Sequence, residues 1–349
     1  MSFPSERMPG VSAVPGTRYS KQWIVLVALA ATAIGVFVAA ASLGAIAVSP
    51  LDLLSERTGR AMQRTVLVEI RLPRVLLASF VGAALAVAGA SLQALFRNPL
   101  ADPGLIGVSG GAAVGAIAMI VFGASVAADT LMPYLVPLSA VAGASAVTLF
   151  LYVFSRRYGN FSVTTMLLVG IALNALAQVG IGAFEFLSDD TQLRTLVFWM
   201  MGSFGRGTWT TVLPSVAVIS LAVAVLLTDA RRLDILQLGE SDARNLGVDV
   251  DALKKRIILA SAAAVGAGVA VAGIVVFVGL VVPHLVRMLG GARNPYVLPG
   301  SLLLGGALTA IADLVARTVV LPAELPVGLV TSALGAPFFL WLIARTRPQ

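Results

Sequence analysis

The chain has 349 residues, of which 58% are hydrophobic and 12% are charged, and its formal net charge is +7. Soluble globular domains carry about 25% charged residues, so this composition excludes an ordinary soluble domain. Runs of about 20 apolar residues recur, and each is long enough to cross a bilayer core of about 30 Å as a helix. The composition therefore predicts an all-α polytopic membrane protein.

The excess of basic residues has an explanation that does not involve nucleic acid. These residues lie at the edges of the apolar runs, where the positive-inside rule places them, so no nucleic-acid partner is expected. The chain has no cysteine, which excludes disulfides, thiolate metal sites and cysteine nucleophiles.

The predicted elements begin with a polar tail over residues 1–22. The apolar run that follows is longer than the core of a signal peptide, which has about 7–15 residues, so we interpret it as a retained first span. A cleaved signal peptide is the alternative. Residues 23–345 then form a single transmembrane domain with ten predicted spans: 23–48, 75–96, 104–122, 133–154, 163–187, 212–228, 256–274, 276–290, 299–319 and 327–344.

An even number of spans places both termini on the same side of the membrane. With the N-terminus inside, the inner segments carry 16 arginines and lysines and the outer segments carry 8. This bias predicts cytoplasmic termini and a cytoplasmic position for the charged loop over 229–256. Five of the eight outer arginines lie within 56–74, which suggests an acidic partner on the outer face. Interfacial snorkelling is the alternative for each of them.

Several of the spans are interrupted. Pro99 and Pro103 flank a polar turn, the segment 273–283 is too short and glycine-rich for a simple span, and a short outer helix is predicted over 192–201. Broken helices in a polytopic protein indicate a translocation path. The pattern RNP followed by PG occurs at 97–104 and again at 293–300. Either an internal repeat or chance explains this recurrence.

The chain shows no energy source of its own. It has no GxxxxGK[ST] phosphate loop, and its one histidine, His284, is expected to be a structural hydrogen-bonding residue because a metal site needs companions. Glu185 and Asp313 are the acidic residues closest to mid-span. Asp313 lies one turn from Arg317, so an ordinary i,i+4 pair is expected. Ion coupling is therefore poorly supported, and the energy is expected to come from a partner at the charged loop.

The loop over 229–256 predicts two short helices joined at Gly239. Apolar residues recur within it at helical spacing, and Gly247 stands where a glycine commonly ends a helix. Glu240 and Asp242 fall near the start of the second helix, where negative charge suits the helix dipole. A solvated loop is the alternative.

Six further motifs occur along the chain in a characteristic order. They are RLPR at 71–74, GAALAVAGASLQALFRNPLADPG at 82–104, FWMMG at 198–202, FVGLVVPH at 277–284, DLVAR at 313–317 and ELPVGLVTSALGAPFF at 324–339. Together with LGESDARNLGV at 238–248, they resemble permeases of the FecCD-type ABC importers of iron chelates, haem and cobalamin. The likeness covers about residues 65–345.

The resemblance implies a type II ABC importer permease in the bacterial inner membrane, with ten helices per subunit. Such permeases work as homodimers with the pathway between the two subunits. Two separate ATPase subunits bind ATP and Mg²⁺ and dock on the cytoplasmic loops, and a periplasmic binding protein delivers the ligand. The chain itself would then hold no cofactor, no metal and no catalytic residue, and would not be an enzyme.

The resemblance also assigns roles to individual residues. It implies that the binding protein docks on exposed charges at Arg71, Arg74 and Arg317. It implies a cytoplasmic gate formed by Asn98, Leu100, Val163 and Thr164, although Val163 is less polar than the residues usual there. The residues that it implies for coupling to the ATPase are Leu238, Gly239, Glu240, Ser241, Ala243, Arg244, Leu246 and Gly247.

The tract over 186–202 is similar to haem-importing members, although FWMMG also resembles the cobalamin branch. We therefore favour haem as the ligand over a ferric siderophore, and either of these over cobalamin. Two other classes of function are alternatives. An ion-coupled secondary transporter would need ion-binding residues within the membrane, and a membrane enzyme would need clustered histidines or carboxylates.

Overall fold

The computed structural model describes residues 16–44, 61–123, 128–158 and 163–345. Regular structure in these ranges is entirely helical, which confirms the predicted all-α class. Residues 1–15 of the predicted tail, residues 45–48 of the first predicted span, and Arg57 and Arg60 of the outer basic cluster lie outside the described ranges.

The helices follow one another with short connections. They are α1 (Gly16–Ser42), α2 (Ala61–Thr65), α3 (Leu72–Phe96), α4 (Val108–Phe122), α5 (Met132–Tyr158), α6 (Val163–Leu187), α7 (Asp190–Met200), α8 (Trp209–Thr228), α9 (Ala230–Leu236), α10 (Glu240–Asn245), α11 (Val250–Ala272), α12 (Val278–Gly290), α13 (Asn294–Ala316) and α14 (Val327–Arg345). A π-helical turn, Val66–Arg71, links α2 to α3, and 3-10 turns cover Pro103–Ile106 and Asp129–Leu131.

Seven helices in the described part of the chain are long and apolar enough to cross a membrane. They are Lys21–Ser42, Met62–Phe96, Met132–Tyr158, Thr164–Leu187, Trp209–Thr228, Val250–Ala272 and Asn294–Ala316. Three shorter apolar helices, Val108–Phe122, Val278–Gly290 and Val327–Leu342, coincide with the remaining predicted spans. Length and composition therefore support seven crossings, and a helix occupies each of the ten predicted spans within the described residues.

One predicted boundary is wrong. Helix α1 begins at Gly16, and its membrane-spanning part begins at Lys21, close to the predicted start at 23. The second predicted span begins well before 75, because α2, the π turn and α3 form one continuous helix over Met62–Phe96. The charges of Arg71 and Arg74 marked a membrane edge in the sequence, but folding buries both side chains within the helix packing.

Helix α3 lies at the centre of the fold and is buried along almost its whole length. Glycines allow its neighbours to approach closely, since a Cβ on Gly89 would lie 2.0 Å from the carbonyl oxygen of Gly279 in α12. A Cβ on Gly82 would lie 2.3 Å from the carbonyl oxygen of Gly305 in α13. Small residues at such contacts are how membrane helices pack without a hydrophobic driving force between them.

The predicted interruption near 273–283 is confirmed. Helix α11 ends at Ala272, Gly273 takes φ +72°, and α12 begins after Phe277, which has φ +67°. The backbone N–H of Ser203 donates to the carbonyl oxygen of Ala272 at 2.7 Å, and the N–H of Gly328 donates to that of Met201 at 3.0 Å. The break is therefore held within protein, where non-helical backbone at membrane depth is tolerated.

The two RNP segments do not form a structural repeat. Arg97 ends α3 with a left-handed backbone, at φ 49°. Arg293 has an extended backbone and precedes the first residue of α13. The first proline–glycine pair then opens a 3-10 turn, whereas Pro299 lies inside α13. The structure therefore favours chance over an internal repeat as the explanation for the recurring RNP and PG pattern.

Substituting Gly89 with alanine tests the close approach of α3 and α12. The added methyl group would overlap the backbone of Gly279, so we expect the variant to lose about 1–3 kcal/mol of stability. Thermal unfolding of the detergent-purified protein measures the loss. Gly182→Ala in α6 is the matched control, because a Cβ there meets nothing within 4 Å. Equal melting temperatures for Gly89→Ala and the wild type would contradict the packing argument.

Candidate functional site

The charged loop contains the two short helices that the sequence predicts. Helix α9 ends before Gly239, which has φ +135°, and α10 begins at the next residue. The backbone N–H of Val248 donates to the carbonyl oxygen of Ala243, and that of Gly247 donates to Arg244, at 2.9 and 3.0 Å. With φ +84° at Gly247, this is a Schellman motif, so the predicted helix-ending role of this glycine is confirmed.

Helix α9 is tied to neighbouring ends of two long helices. The Gln237 side chain donates to the carbonyl oxygen of Ala94 near the end of α3, at 2.7 Å. The Asp234 carboxylate accepts a 2.7 Å hydrogen bond from the backbone N–H of Asn294, the first residue of α13. A carboxylate at a helix N-terminus satisfies a free N–H group and complements the helix dipole. These two hydrogen bonds connect the α9 region directly to α3 and α13.

Helix α10 is tied to the first turns of α11 by two ion pairs. The nearly buried ammonium of Lys254 lies 2.8 Å from Glu240, and Arg244 lies 3.1 Å from Asp251. The fully buried carboxylate of Asp229 pairs with Arg232 at 2.5 Å and with Arg256 at 3.1 Å. The short helices and the base of α11 thus form one connected unit.

One surface of this unit is apolar and open. Leu238 and Leu246, on either side of α10, are 65% and 61% exposed. Ala243 faces inward and is fully buried. Ser241, Arg244 and Gly247 are also exposed, whereas Gly239 and Glu240 are partly covered. Two large exposed leucines flanking a short polar helix are suited to a protein partner, because exposed apolar patches mark interaction surfaces.

The predicted docking arginines come together at the opposite end of α3 and α13. Arg74 donates from its Nε to both oxygens of Asp313 at 3.0 Å, and its Nη1 lies 2.8 Å from Glu324. This pairing joins residues that are 239 and 250 positions apart in the chain. The predicted pair of Asp313 with Arg317 is also present, at a longer 3.6 Å.

The other two arginines hold the end of α1. Arg71 donates to the carbonyl oxygens of Ala41 and Ser42, at 3.3 and 2.7 Å, and Arg317 donates to that of Ala40. The last carbonyls of a helix have no partner within it, and cationic side chains there satisfy them. Arg71, Arg74 and Arg317 are 5%, 8% and 7% exposed, so the expectation that these charges lie exposed is wrong. Their role in docking stays a prediction.

The predicted gate residues lie at two separate helix ends. The side-chain oxygen of Asn98 accepts a 2.9 Å hydrogen bond from the N–H of Leu100, which forms a tight turn after α3 and leaves Leu100 52% exposed. Val163 and Thr164 begin α6, and Thr164 is exposed. The structure does not describe the side chain of Val163. Thr164 forms no hydrogen bond with Asn98 or Leu100.

His284 does not have the structural role that its sequence context predicts. Within the described ranges its imidazole forms no hydrogen bond, and its recorded neighbour is the Phe338 ring, at 6.3 Å between centroids. The described residues also contain no group of three or more histidine, cysteine, aspartate or glutamate side chains that could hold a metal. The prediction of a hydrogen-bonded structural histidine is therefore wrong.

Comparisons with known proteins agree with one another. The profile of the FecCD transport family matches residues 28–345. The chain is 47% identical over 311 residues to the Hemin transport system permease protein HmuU of Yersinia pestis, covering 88% of this chain and 92% of that protein. It is 40% identical over 304 residues to the Vitamin B12 import system permease protein BtuC of Vibrio parahaemolyticus serotype O3:K6, covering 87% and 88%. A solved structure described as an inward-facing metal-chelate type ABC transporter matches with a TM-score of 0.82 and 32% identity, covering 92% of this chain and 99% of that one.

Removing the Arg74 guanidinium tests the cluster of Arg74, Asp313 and Glu324. Arg74→Met leaves the carboxylate of Asp313, 1% exposed, without its bidentate partner, so we expect a loss of about 3–5 kcal/mol of stability. Glu324→Gln is the control, because the Glu324 side chain is 47% exposed and an exposed pair contributes about 0–1 kcal/mol. Thermal melting in detergent compares the two variants. Similar melting temperatures for both would show that burial does not strengthen the Arg74–Asp313 pair.

Proposed function

The chain belongs to the FecCD transport family, and we propose that it is the membrane-spanning subunit of an ABC importer that moves haem from the periplasm to the cytoplasm. The observation that carries the ligand assignment is the 47% identity to a hemin transport permease over 88% of this chain. A cobalamin importer is the second candidate, because relatives at 40–42% identity are vitamin B12 import permeases. A ferric siderophore is the third.

We propose ten membrane crossings, with both termini in the cytoplasm and the protein in the bacterial inner membrane. The three short apolar helices, α4, α12 and α14, supply the crossings beyond the seven long ones. Each short helix adjoins a non-helical segment or a 3-10 turn, which adds to the length it can span. The 16 to 8 distribution of basic residues supports the orientation.

We propose that a partner ATPase docks on the surface formed by α10 and its flanking leucines. The ATPase would bind ATP and Mg²⁺, and two copies would serve a homodimer of this chain. The coupling residues are Leu238, Gly239, Glu240, Ser241, Ala243, Arg244, Leu246 and Gly247. Hydrogen bonds and ion pairs connect this unit to α3, α11 and α13, which supports rigid movement of these helices when the ATPase closes.

We propose that a periplasmic binding protein is attracted to the outer cluster of Arg71, Arg74 and Arg317. Three guanidinium groups face two carboxylates there, Asp313 and Glu324, so the cluster keeps a positive excess. Because the arginines are buried in the protomer, their charge would act on acidic partner residues chiefly through its field, which sets orientation and encounter rate.

The inner gate is proposed at Asn98, Leu100, Val163 and Thr164. The exposed Leu100 on its tight turn and the exposed Thr164 at the start of α6 support this position. A gate made of short side chains on turns and helix ends changes its opening when the helices tilt, without local unfolding.

Uptake by proteoliposomes that contain the permease, its ATPase and its binding protein tests the ligand. We expect ATP-dependent accumulation of haem that vanadate inhibits and a protonophore does not. Ferric siderophore and cobalamin, supplied under the same conditions, are expected to accumulate at background rates. Accumulation of cobalamin alone would replace haem with the second candidate, and uptake that needs a proton gradient but no ATP would reject the ABC importer.

Truncating the two exposed leucines tests the ATPase contact. Leu246→Ala combined with Leu238→Ala removes exposed apolar surface, so we expect stability to change by less than about 0.5 kcal/mol. Loss of interface anchors costs at least about 1 kcal/mol of binding, so we expect about a tenfold weaker ATPase affinity and slower transport. Affinity is measured on detergent-purified subunits. Leu221→Ala, in α8 and 71% exposed, is the matched control. Unchanged ATPase affinity in the double variant would reject this docking surface.

A further inference from the structure

Two apolar cavities adjoin along the seam between α12 and α14. The first, of about 220 Å³, is lined by residues from Val276 to Phe338. The second, of about 300 Å³, reaches to Leu100 on the turn after α3. Val281 and Phe338 line both cavities. The seam is therefore a nearly continuous apolar track that ends at one of the proposed gate residues.

The one histidine of the chain lies in the second cavity. His284 lines it together with Phe338 and Phe339, and the Phe338 ring meets the imidazole edge-on at an interplanar angle of 65°. Among the described residues nothing forms a hydrogen bond with the imidazole. A neutral imidazole has one nitrogen lone pair, and here that lone pair has no protein partner. An apolar, aromatic cavity with a single free nitrogen ligand suits a flat metal-containing ring.

Resting on the proposed haem function, we propose that His284 is a transient axial ligand to the iron of haem as it passes the cytoplasmic end of the pathway. An imidazole nitrogen is a common axial ligand of haem iron. The nitrogen forms a bond to iron and displaces a water molecule from it, and the oxidation state of the iron does not change. Phe338 and Phe339 provide aromatic surface for the porphyrin face and edge.

The surroundings of His284 favour release as well as binding. The described part of the chain has no group of three or more metal-ligating side chains, so the iron gains a single protein bond, from the imidazole of His284. Arg287 lies one helical turn beyond His284 in α12, and its Nη1 donates to the Gln93 side chain at 2.6 Å. This positive charge one turn from the ligand suits the anionic propionates of haem. Conduction requires binding that is favourable enough to enter and weak enough to leave.

Comparing two porphyrins tests the proposal. Proteoliposomes with the wild-type complex or with His284→Ala are supplied with haem or with metal-free protoporphyrin IX. We expect His284→Ala to lower the haem uptake rate severalfold and to leave the metal-free porphyrin rate unchanged, which also shows that the variant folds. Added imidazole is expected to restore haem uptake in the variant. In detergent, haem bound to the wild-type complex is expected to show a Soret band shifted toward that of imidazole-ligated haem, and the variant should lack this shift.

Leu280→Ala is the matched control, because Leu280 lines the same cavity one turn before His284 and has no metal-binding atom. It is expected to affect both porphyrins in equal proportion and to keep the Soret shift. Equal haem uptake and equal spectra for wild type and His284→Ala would overturn the ligand role and leave haem transport standing. No haem uptake by the wild type would reject haem transport, and the ligand role with it.

Discussion

The close approach of helix backbones around α3 is the constraint on which the rest of the structure depends. Lipid is as apolar as the side chains, so helices in a membrane are held by packing and hydrogen bonds rather than by the hydrophobic effect. Glycines at 82 and 89 bring α3 into contact with the backbones of α13 and α12. Because α3 is covered on nearly all sides, its neighbours are positioned relative to one another through it.

The interrupted course of the chain after α11 follows from the same packing. Gly202, Gly273 and Gly328 meet at the break, and a Cβ on any of them would come within 2.5 Å of a backbone oxygen. Hydrogen bonds between these segments satisfy the backbone groups that a continuous helix would have satisfied internally. Shortening α12 in this way sets His284 and the seam with α14 close to the turn after α3.

Local features of the sequence were sufficient for the helices and for the charged loop. The apolar runs, the break at Gly239 and the helix end at Gly247 each depend on residues a few positions apart, and the structure has all of them. Asp313, the partner of Arg74, is 239 positions away in the chain. A pattern of neighbouring residues carries no information on contacts between positions so far apart. The sequence did not predict that Arg71 and Arg317 are buried against the end of α1, because this contact also joins distant residues. A charged residue next to an apolar run instead indicates a membrane edge.

The two polar clusters are joined by the same pair of helices. At one end, Gln237 and Asp234 bind the ends of α3 and α13, and at the other end Arg74 and Asp313 bind these helices to each other. Between the clusters, Gly82 and Gly305 bring the backbones of α3 and α13 into close contact. Packed interiors move between discrete arrangements rather than deforming continuously. A displacement of the short helices would therefore appear at Arg74 and Asp313 as a tilt of the α3–α13 pair. The end of α1, whose carbonyls are held by Arg71 and Arg317, would follow the same movement.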